Sequence, residues 1–331
     1  MRVTTNMTMR NYNSRLNRVL GNLNMANEKV TTRREFLSAE EAPASAARAY
    51  QLRRNMQKNA DYMNNIENVL DTFTSAEGNL MNISELAETA YVDTLEAING
   101  TNGLSERKIV AQQLRSIQSS MIMNLNAQFD DKFLFGGSST KGLPFELTTD
   151  GEGNQTLTYR GIDVTDPASQ ADLKALAGEK MYVDIGFGLK EDGAGLVDSS
   201  VFNTALPGIN VIGYGEDPTD NLILNLGKLA DLLEQDTLDK DAIKGCTEKL
   251  KEQHTNVLVN VTRMGSDYQF LSQTKNVLED NEFNLNNKIV DVEYIDMEEA
   301  IMAFKEADYI YRAALKMGNN ILSLSFIDFM R

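Results

Sequence analysis

Apolar residues recur at alternating intervals of three and four along both flanks of the chain. Met9, Tyr12, Leu16, Val19, Leu23, Ala26 and Val30 hold this spacing, as do Ile66, Val69, Phe73, Ala76, Leu80, Ile83, Ala87 and Ala90. Val110, Leu114, Ile117 and Met121 carry it through a stretch that reads as helical from Leu104 to Phe135. Leu250, Val257, Val261, Met264, Tyr268, Leu271 and Leu278 repeat it further on. One apolar stripe per helix at this period predicts helix-on-helix, coiled-coil-like packing. Asn99-Gly-Thr-Asn-Gly marks the turn between the second and third helices, with Ser105 as the expected N-cap.

The last helix is apolar over a broader arc. Met297, Ile301, Phe304, Tyr311, Leu315 and Leu322 form one stripe, and Ala300, Ala303, Ala307, Ile310, Ala314, Met317, Ile321 and Leu324 form its neighbour. A helix with so wide an apolar face is buried on several sides. The helix at residues 9–30 can cover only part of it. The remainder predicts contacts with other protein chains.

The middle of the sequence has different punctuation. Residues 136–218 hold 14 of the 22 Gly and four of the five Pro, so long helices are free to run on either side. Phe145–Thr149 and Thr156–Tyr159 flank Asp150-Gly-Glu-Gly-Asn and predict a hairpin. Met181–Leu189 is a third candidate strand and Asn210–Tyr214 a fourth. The expected fold is mainly α with a β-rich insert. Long coiled-coil-like helices from both chain ends would form a rod, with the small β domain inserted in the middle. The expected parts are residues 1–40 with 290–331 as a terminal helical domain, 41–140 with 219–289 as a helical bundle, and 141–218 as a β-rich outer domain.

Charge adds an asymmetry. The 331 residues carry a net charge of −16, which argues against nucleic-acid binding through a basic surface. Residues 1–60 nevertheless carry +7, and residues 280–331 carry −5. Opposite signs at the two ends suggest termini lying side by side, with charge helping to set their register. The lone Cys246 excludes a disulfide scaffold. No run reaches the ~18–20 apolar residues of a bilayer span, and the polar start Met-Arg-Val-Thr-Thr-Asn-Met has no signal-peptide core. The chain reads as cytosolic, or as exported without a cleaved signal.

Candidate chemistry is sparse. His254 is the single His, so a His-based triad or a multi-His metal site cannot be built within one chain. It falls on a helical seam and reads as a packed polar residue. Cys246 reads as a small half-buried residue and not as a nucleophile. The Asp150 loop fails as a calcium loop, because its twelfth position is Gly161. Gly186-Phe-Gly-Leu lacks a third Gly at dinucleotide spacing. The adjacent carboxylates Asp130-Asp131, Glu40-Glu41 and Glu298-Glu299 read as solvated faces. No catalytic, cofactor or metal site is expected, and the chain is read as no enzyme.

Four stretches resemble the flagellin superfamily of bacterial flagellar axial proteins, and among these the hook–filament junction members. They are Met1-Arg-Val-Thr-Thr-Asn-Met, Thr32-Arg-Arg-Glu-Phe with Glu41-Ala-Pro-Ala-Ser-Ala-Ala-Arg-Ala, Asp131-Lys-Phe-Leu-Phe-Gly-Gly through Pro144-Phe145, and Ile321-Leu-Ser-Leu-Ser-Phe-Ile-Asp-Phe-Met-Arg. The Gly usual before the basic pair is replaced in this neighbourhood by Arg33, and Ala42 stands where Asp precedes Pro43.

The resemblance implies a structural component of the bacterial flagellum, linking hook to filament through intersubunit packing of its terminal helices. Leu16, Val19, Leu23, Ile301, Phe304, Tyr311, Leu315, Leu322 and Phe329 would carry that packing. The implied partners are further copies in a ring, a neighbouring hook-associated protein, flagellin, and an export chaperone on the C-terminal helix. The implied location is extracellular, on the flagellum. A short filament flagellin and a cytosolic coiled-coil scaffold or chaperone are the alternatives.

Overall fold

The computed structural model describes residues 2–99, 103–139, 141–151, 154–188, 190–192, 195–196 and 200–327. Two compact units divide the chain: residues 1–60 with 279–331, and residues 61–278. The helices are α1 (Arg2–Thr32), α2 (Pro43–Asn99), α3 (Leu104–Leu125), α4 (Gln170–Ala177), α5 (Ile209–Ile212), α6 (Leu222–Glu234), α7 (Lys240–Glu293) and α8 (Met297–Ile327). The 57 residues of α2 and the 54 of α7 contribute to both units. The protein is mainly α with a small strand-containing middle, as the distribution of Gly and Pro predicts.

The 61–278 unit has one continuous core. All eight predicted stripe positions of α2, from Ile66 to Ala90, are buried. They meet Leu114 and Met121 of α3 and Leu250, Val257, Met264 and Leu271 of α7. The short helix α6 lies inside this core, with Leu222, Leu226, Leu229 and Leu233 fully buried. Asn221 starts it: its Oδ1 accepts from the amides of Ile223 at 2.9 Å and Leu224 at 3.2 Å. Such a cap satisfies amide donors that a helix start leaves unpaired.

Three expectations need correction here. The third helix stops at Leu125, not Phe135. Beyond it, β1 (Gln128–Phe129) and β2 (Lys132–Phe133) form a hairpin around Asp130 and Asp131. Both aspartates have positive φ (50° and 58°), the geometry of a two-residue hairpin turn, so the carboxylate pair is turn chemistry. Asn210–Tyr214 is no strand, since Ile209–Ile212 form the one-turn helix α5. Its apolar run is too short for periodicity to separate the two states. The N-cap of α3 is Gly103, one residue before Leu104, and not Ser105. Residues 100–102 of the turn before it lie outside the described residues.

The predicted hairpin forms as β3 (Phe145–Thr149) and β4 (Gln155–Tyr159), with Phe145 opposite Tyr159, and β5 (Ile162–Asp163) adds a third strand. The third candidate strand shortens to β6 (Tyr182–Val183), which pairs with β9 (Phe202–Asn203); β7 (Glu191–Asp192) pairs with β8 (Gly195–Leu196). The Phe-Gly-Gly…Pro-Phe passage is a core-forming corner. Phe135 and Phe145 are buried, and the Tyr159 hydroxyl donates to the Phe135 carbonyl at 3.2 Å. Asn126, just past α3, grips Phe145 by both backbone groups, at 3.0 and 2.8 Å. A Cβ on Gly208 would strike the Phe145 ring and the Phe135 Cβ, so only Gly fits there.

Candidate interaction surface of the terminal helices

In the unit built from both chain ends, α1 and α8 run antiparallel. Tyr12 near the start of α1 donates its hydroxyl to the Ala314 carbonyl of α8 at 3.1 Å. At the opposite end, the Ile295 amide donates to the Arg33 carbonyl at 3.2 Å, just before α8 begins. The α8 side of the seam is Met297, Ala300, Phe304, Ala307, Tyr311, Ala314 and Gly318, all buried or half-buried. Large and small residues alternate, so Tyr12, Leu16, Val19, Leu23, Ala26 and Val30 of α1 interdigitate with them. A Cβ on Gly318 would run into the Tyr12 ring, so this Gly makes room for an aromatic side chain.

The basic turn after α1 is tied to the end of α7. Arg33 has φ 58°, a left-handed conformation that L side chains seldom adopt. The Glu35 amide donates to the Glu293 carbonyl at 2.9 Å, and Arg34 bridges to Tyr294. Arg53 of α2 then clamps the Glu293 carboxylate with two parallel hydrogen bonds, 2.6 Å from Nε and 2.5 Å from Nη2. The Glu293 side chain is only 6% exposed. Hydrogen bonding from Arg53 holds its carboxyl below the usual range against the opposing effect of burial, and the Arg34 charge adds to the lowering. Periodicity carries no signal for this clamp, because its partners lie 240 residues apart.

Of the residues expected to mediate assembly, Leu16, Val19, Leu23, Phe304 and Tyr311 are half-buried, while Ile301 and Leu315 are exposed, at 38% and 43%. The Leu322 side chain and all of Phe329 lie outside the described residues. The uncovered surface of α8 includes Ile310 and Met317 of the predicted second stripe, and also Met302 and Tyr309, which belong to neither stripe. Met302, Tyr309, Ile310 and Met317 are 64%, 75%, 44% and 64% exposed. Among the described residues no ion pair joins α1 to α8; the closest analogue is Arg53–Glu293, between α2 and α7.

Among the described residues the candidate chemistry of the sequence resolves into packing. His254 Nε2 lies 2.9 Å from the Ser84 hydroxyl, a packed polar contact between helices. Cys246 is buried, and burial pushes its thiol pKa up, which lowers its nucleophilicity at neutral pH. Among the described residues no three His, Cys, Asp or Glu side chains converge as metal ligands. No described helix is long and apolar enough to cross a membrane. A cavity of about 300 Å³ between α2, β2 and β6 is lined by Phe73, Phe129 and Leu134 together with the charged Asp130 and Lys132.

Residues 3–140 match the family model of the bacterial flagellin N-terminal helical region. No curated protein matches the chain. Among solved structures, a protein of Vibrio parahaemolyticus described as flagellar hook-associated is similar at 18% identity and TM-score 0.61, over 77% of this chain and 100% of that one. FlgL of Xanthomonas campestris is similar at 12% identity and TM-score 0.55, over 72% of this chain and 99% of its own. FlgL of Bacillus cereus is similar at 18% identity and TM-score 0.52, with the same coverage of 72% and 99%. Residues 3–140 are thus similar to the flagellin N-terminal helical region, and the chain has the fold of the solved hook-associated proteins.

Proposed function

We propose that this protein is a structural, non-catalytic subunit of the bacterial flagellum that joins hook to filament. The observation that carries the reading is the uncovered apolar surface of α8, where Ile301, Ile310, Leu315 and Met317 stay exposed beside a closed α1–α8 seam. Apolar surface of this kind on a long helix marks an interaction site, and in an assembly it is buried by neighbouring subunits. The flagellin-type N-terminal region and the hook-associated fold support the same reading. The neighbours would be further copies in a ring, a hook-associated protein on one side and flagellin on the other. An export chaperone would cover the C-terminal helix before release, and the working location would be outside the cell.

Immunogold microscopy of isolated flagella, with an antibody raised to residues 145–215, tests the reading. Gold confined to the filament base beside the hook is expected. Gold along the filament would make the protein a filament flagellin, and absence from sheared flagella would make it a cytosolic scaffold. Ile301→Asp or Leu315→Asp should leave export largely intact and block assembly. Normal filaments on cells carrying only such a variant would refute the role given to α8.

A further inference from the structure

The cavity between α2 and the β1–β2 hairpin has a divided lining, and all of it belongs to the 61–278 unit. Its floor is apolar: Val69, Phe73 and Leu134 are buried, and Val183 and Leu206 are half-buried. Thr72 and Thr204 also line it, but their hydroxyls already donate to the Asn68 and Met181 carbonyls, at 2.8 and 3.0 Å. The exposed side chains of Asn68, Asp130 and Lys132 supply the polar groups. Phe129 and Lys132 are cross-strand partners, so their side chains leave the hairpin on one face, and both line the cavity. Among the described residues Asp130 and Lys132 form no ion pair, with each other or with a neighbour. A volume of about 300 Å³ is at the small end of the range for ligand sites.

We propose that this cavity binds a free apolar α-amino acid as its zwitterion. The side chain fills the apolar floor. The ammonium meets the Asp130 carboxylate, and the carboxylate meets Lys132, with the Asn68 amide as a further donor. An α-amino acid carries both charges on one carbon, which suits two unpaired, opposite charges brought by a single tight hairpin. The same two charges select against simpler ligands. An apolar carboxylate alone meets Asp130 as a like charge, and an apolar amine alone meets Lys132 as one. A small apolar floor beside a few placed polar groups is the usual construction of a small-molecule site. The inference does not depend on the assembly role proposed above, because the terminal helices contribute nothing to this lining.

The test titrates the purified full-length chain with L-leucine to ~20 mM, read by saturation-transfer NMR and calorimetry, a range that captures weak specific binding. Leucine should bind, and glycine, which has no side chain for the floor, should not. N-acetyl-leucine lacks the ammonium and leucinamide lacks the carboxylate, so each should bind about tenfold or more weakly. Thr72→Trp fills the cavity from α2, where Thr72 bonds only its own helix, and should abolish leucine binding. Asp130→Asn keeps a residue that tolerates positive φ and should weaken leucine about tenfold while leaving N-acetyl-leucine unchanged, a split that mere loss of structure would not give. If Thr72→Trp loses helical circular dichroism, Leu206→Phe replaces it as the filling variant. No binding of leucine, binding that survives the filled cavity, or equal binding of the three leucine compounds would each overturn the proposal. None of these outcomes moves the protein along the flagellum, so failure here is distinct from failure of the functional reading.

Discussion

Arg53→Ala probes the junction where the chain ends are tied together. In the native structure the Glu293 carboxylate is 6% exposed and takes both of its strong hydrogen bonds from Arg53, whose own side chain is 54% exposed. Removing one partner of a buried pair costs about 3–5 kcal/mol, because a charge is left without compensation. Water already reaches the guanidinium side, and Arg34 contributes a second positive charge, so about 2–3 kcal/mol is the expected loss at pH 7.

The pH dependence gives the sign. Arg53 hydrogen bonding lowers the folded-state carboxyl pKa of Glu293 below its unfolded value, with burial opposing. The clamp's contribution is therefore complete above the unfolded value near ~4.3 and is lost as pH falls through the folded value. In Arg53→Ala the burial remains without the clamp, so the variant's deficit should be largest at neutral pH and shrink on acidification. Amide hydrogen exchange at Glu35 and Ile295 is the direct assay, since both amides are bonded at this junction and a global midpoint would mix two compact units. Adding Glu293→Gln to Arg53→Ala should recover about half of the loss, because the second change removes the stranded charge. A change below ~0.5 kcal/mol at pH 7, or an equal change at pH 7 and pH 4, would refute the assignment of Glu293 as a clamped buried carboxylate.

Two further outcomes follow from the 61–278 unit. Leu114→Ala removes a fully buried side chain of α3 from this core, and urea denaturation should report a loss of about 2–5 kcal/mol; less than ~1 kcal/mol would mean that the core collapses around the gap. Cys246 should resist a soluble thiol reagent in native protein and react promptly in denaturant, since it is buried and its thiol pKa is raised by burial; prompt native reaction would mean that α7 opens locally.

Much of this architecture is written in periodicity. The stripe from Ile66 to Ala90 is buried at every predicted position, because a 57-residue helix repeats one local rule until its apolar face is long enough to need a partner. The hairpin around residues 150–154 was legible for a related reason: alternating strands and a Gly-rich turn lie adjacent in the chain. Short apolar runs were not legible. Asn210–Tyr214 holds most of a helical turn that follows Gly208, whose place is pinned by the Phe145 ring and the Phe135 Cβ, residues about 60 and 70 positions away.

The surface of the terminal helices divides in the same way. The sequence by itself determined that α8 has more apolar surface than one partner helix can cover, and that the chain ends differ in charge. Only the tertiary structure decided which residues fill the intramolecular seam: Met297, Phe304 and Tyr311 from one predicted stripe, and Ala300, Ala307 and Ala314 from the other. It also decided that Arg53 and not α1 pairs with the buried acid at the end of α7, and that Arg15, Arg18, Glu299 and Glu306 stay outside the seam. The physical reason is that burial and charge pairing depend on the rotation of each helix about its axis. Periodicity fixes the width of an apolar face, and packing against a particular neighbour fixes which edge of that face is covered.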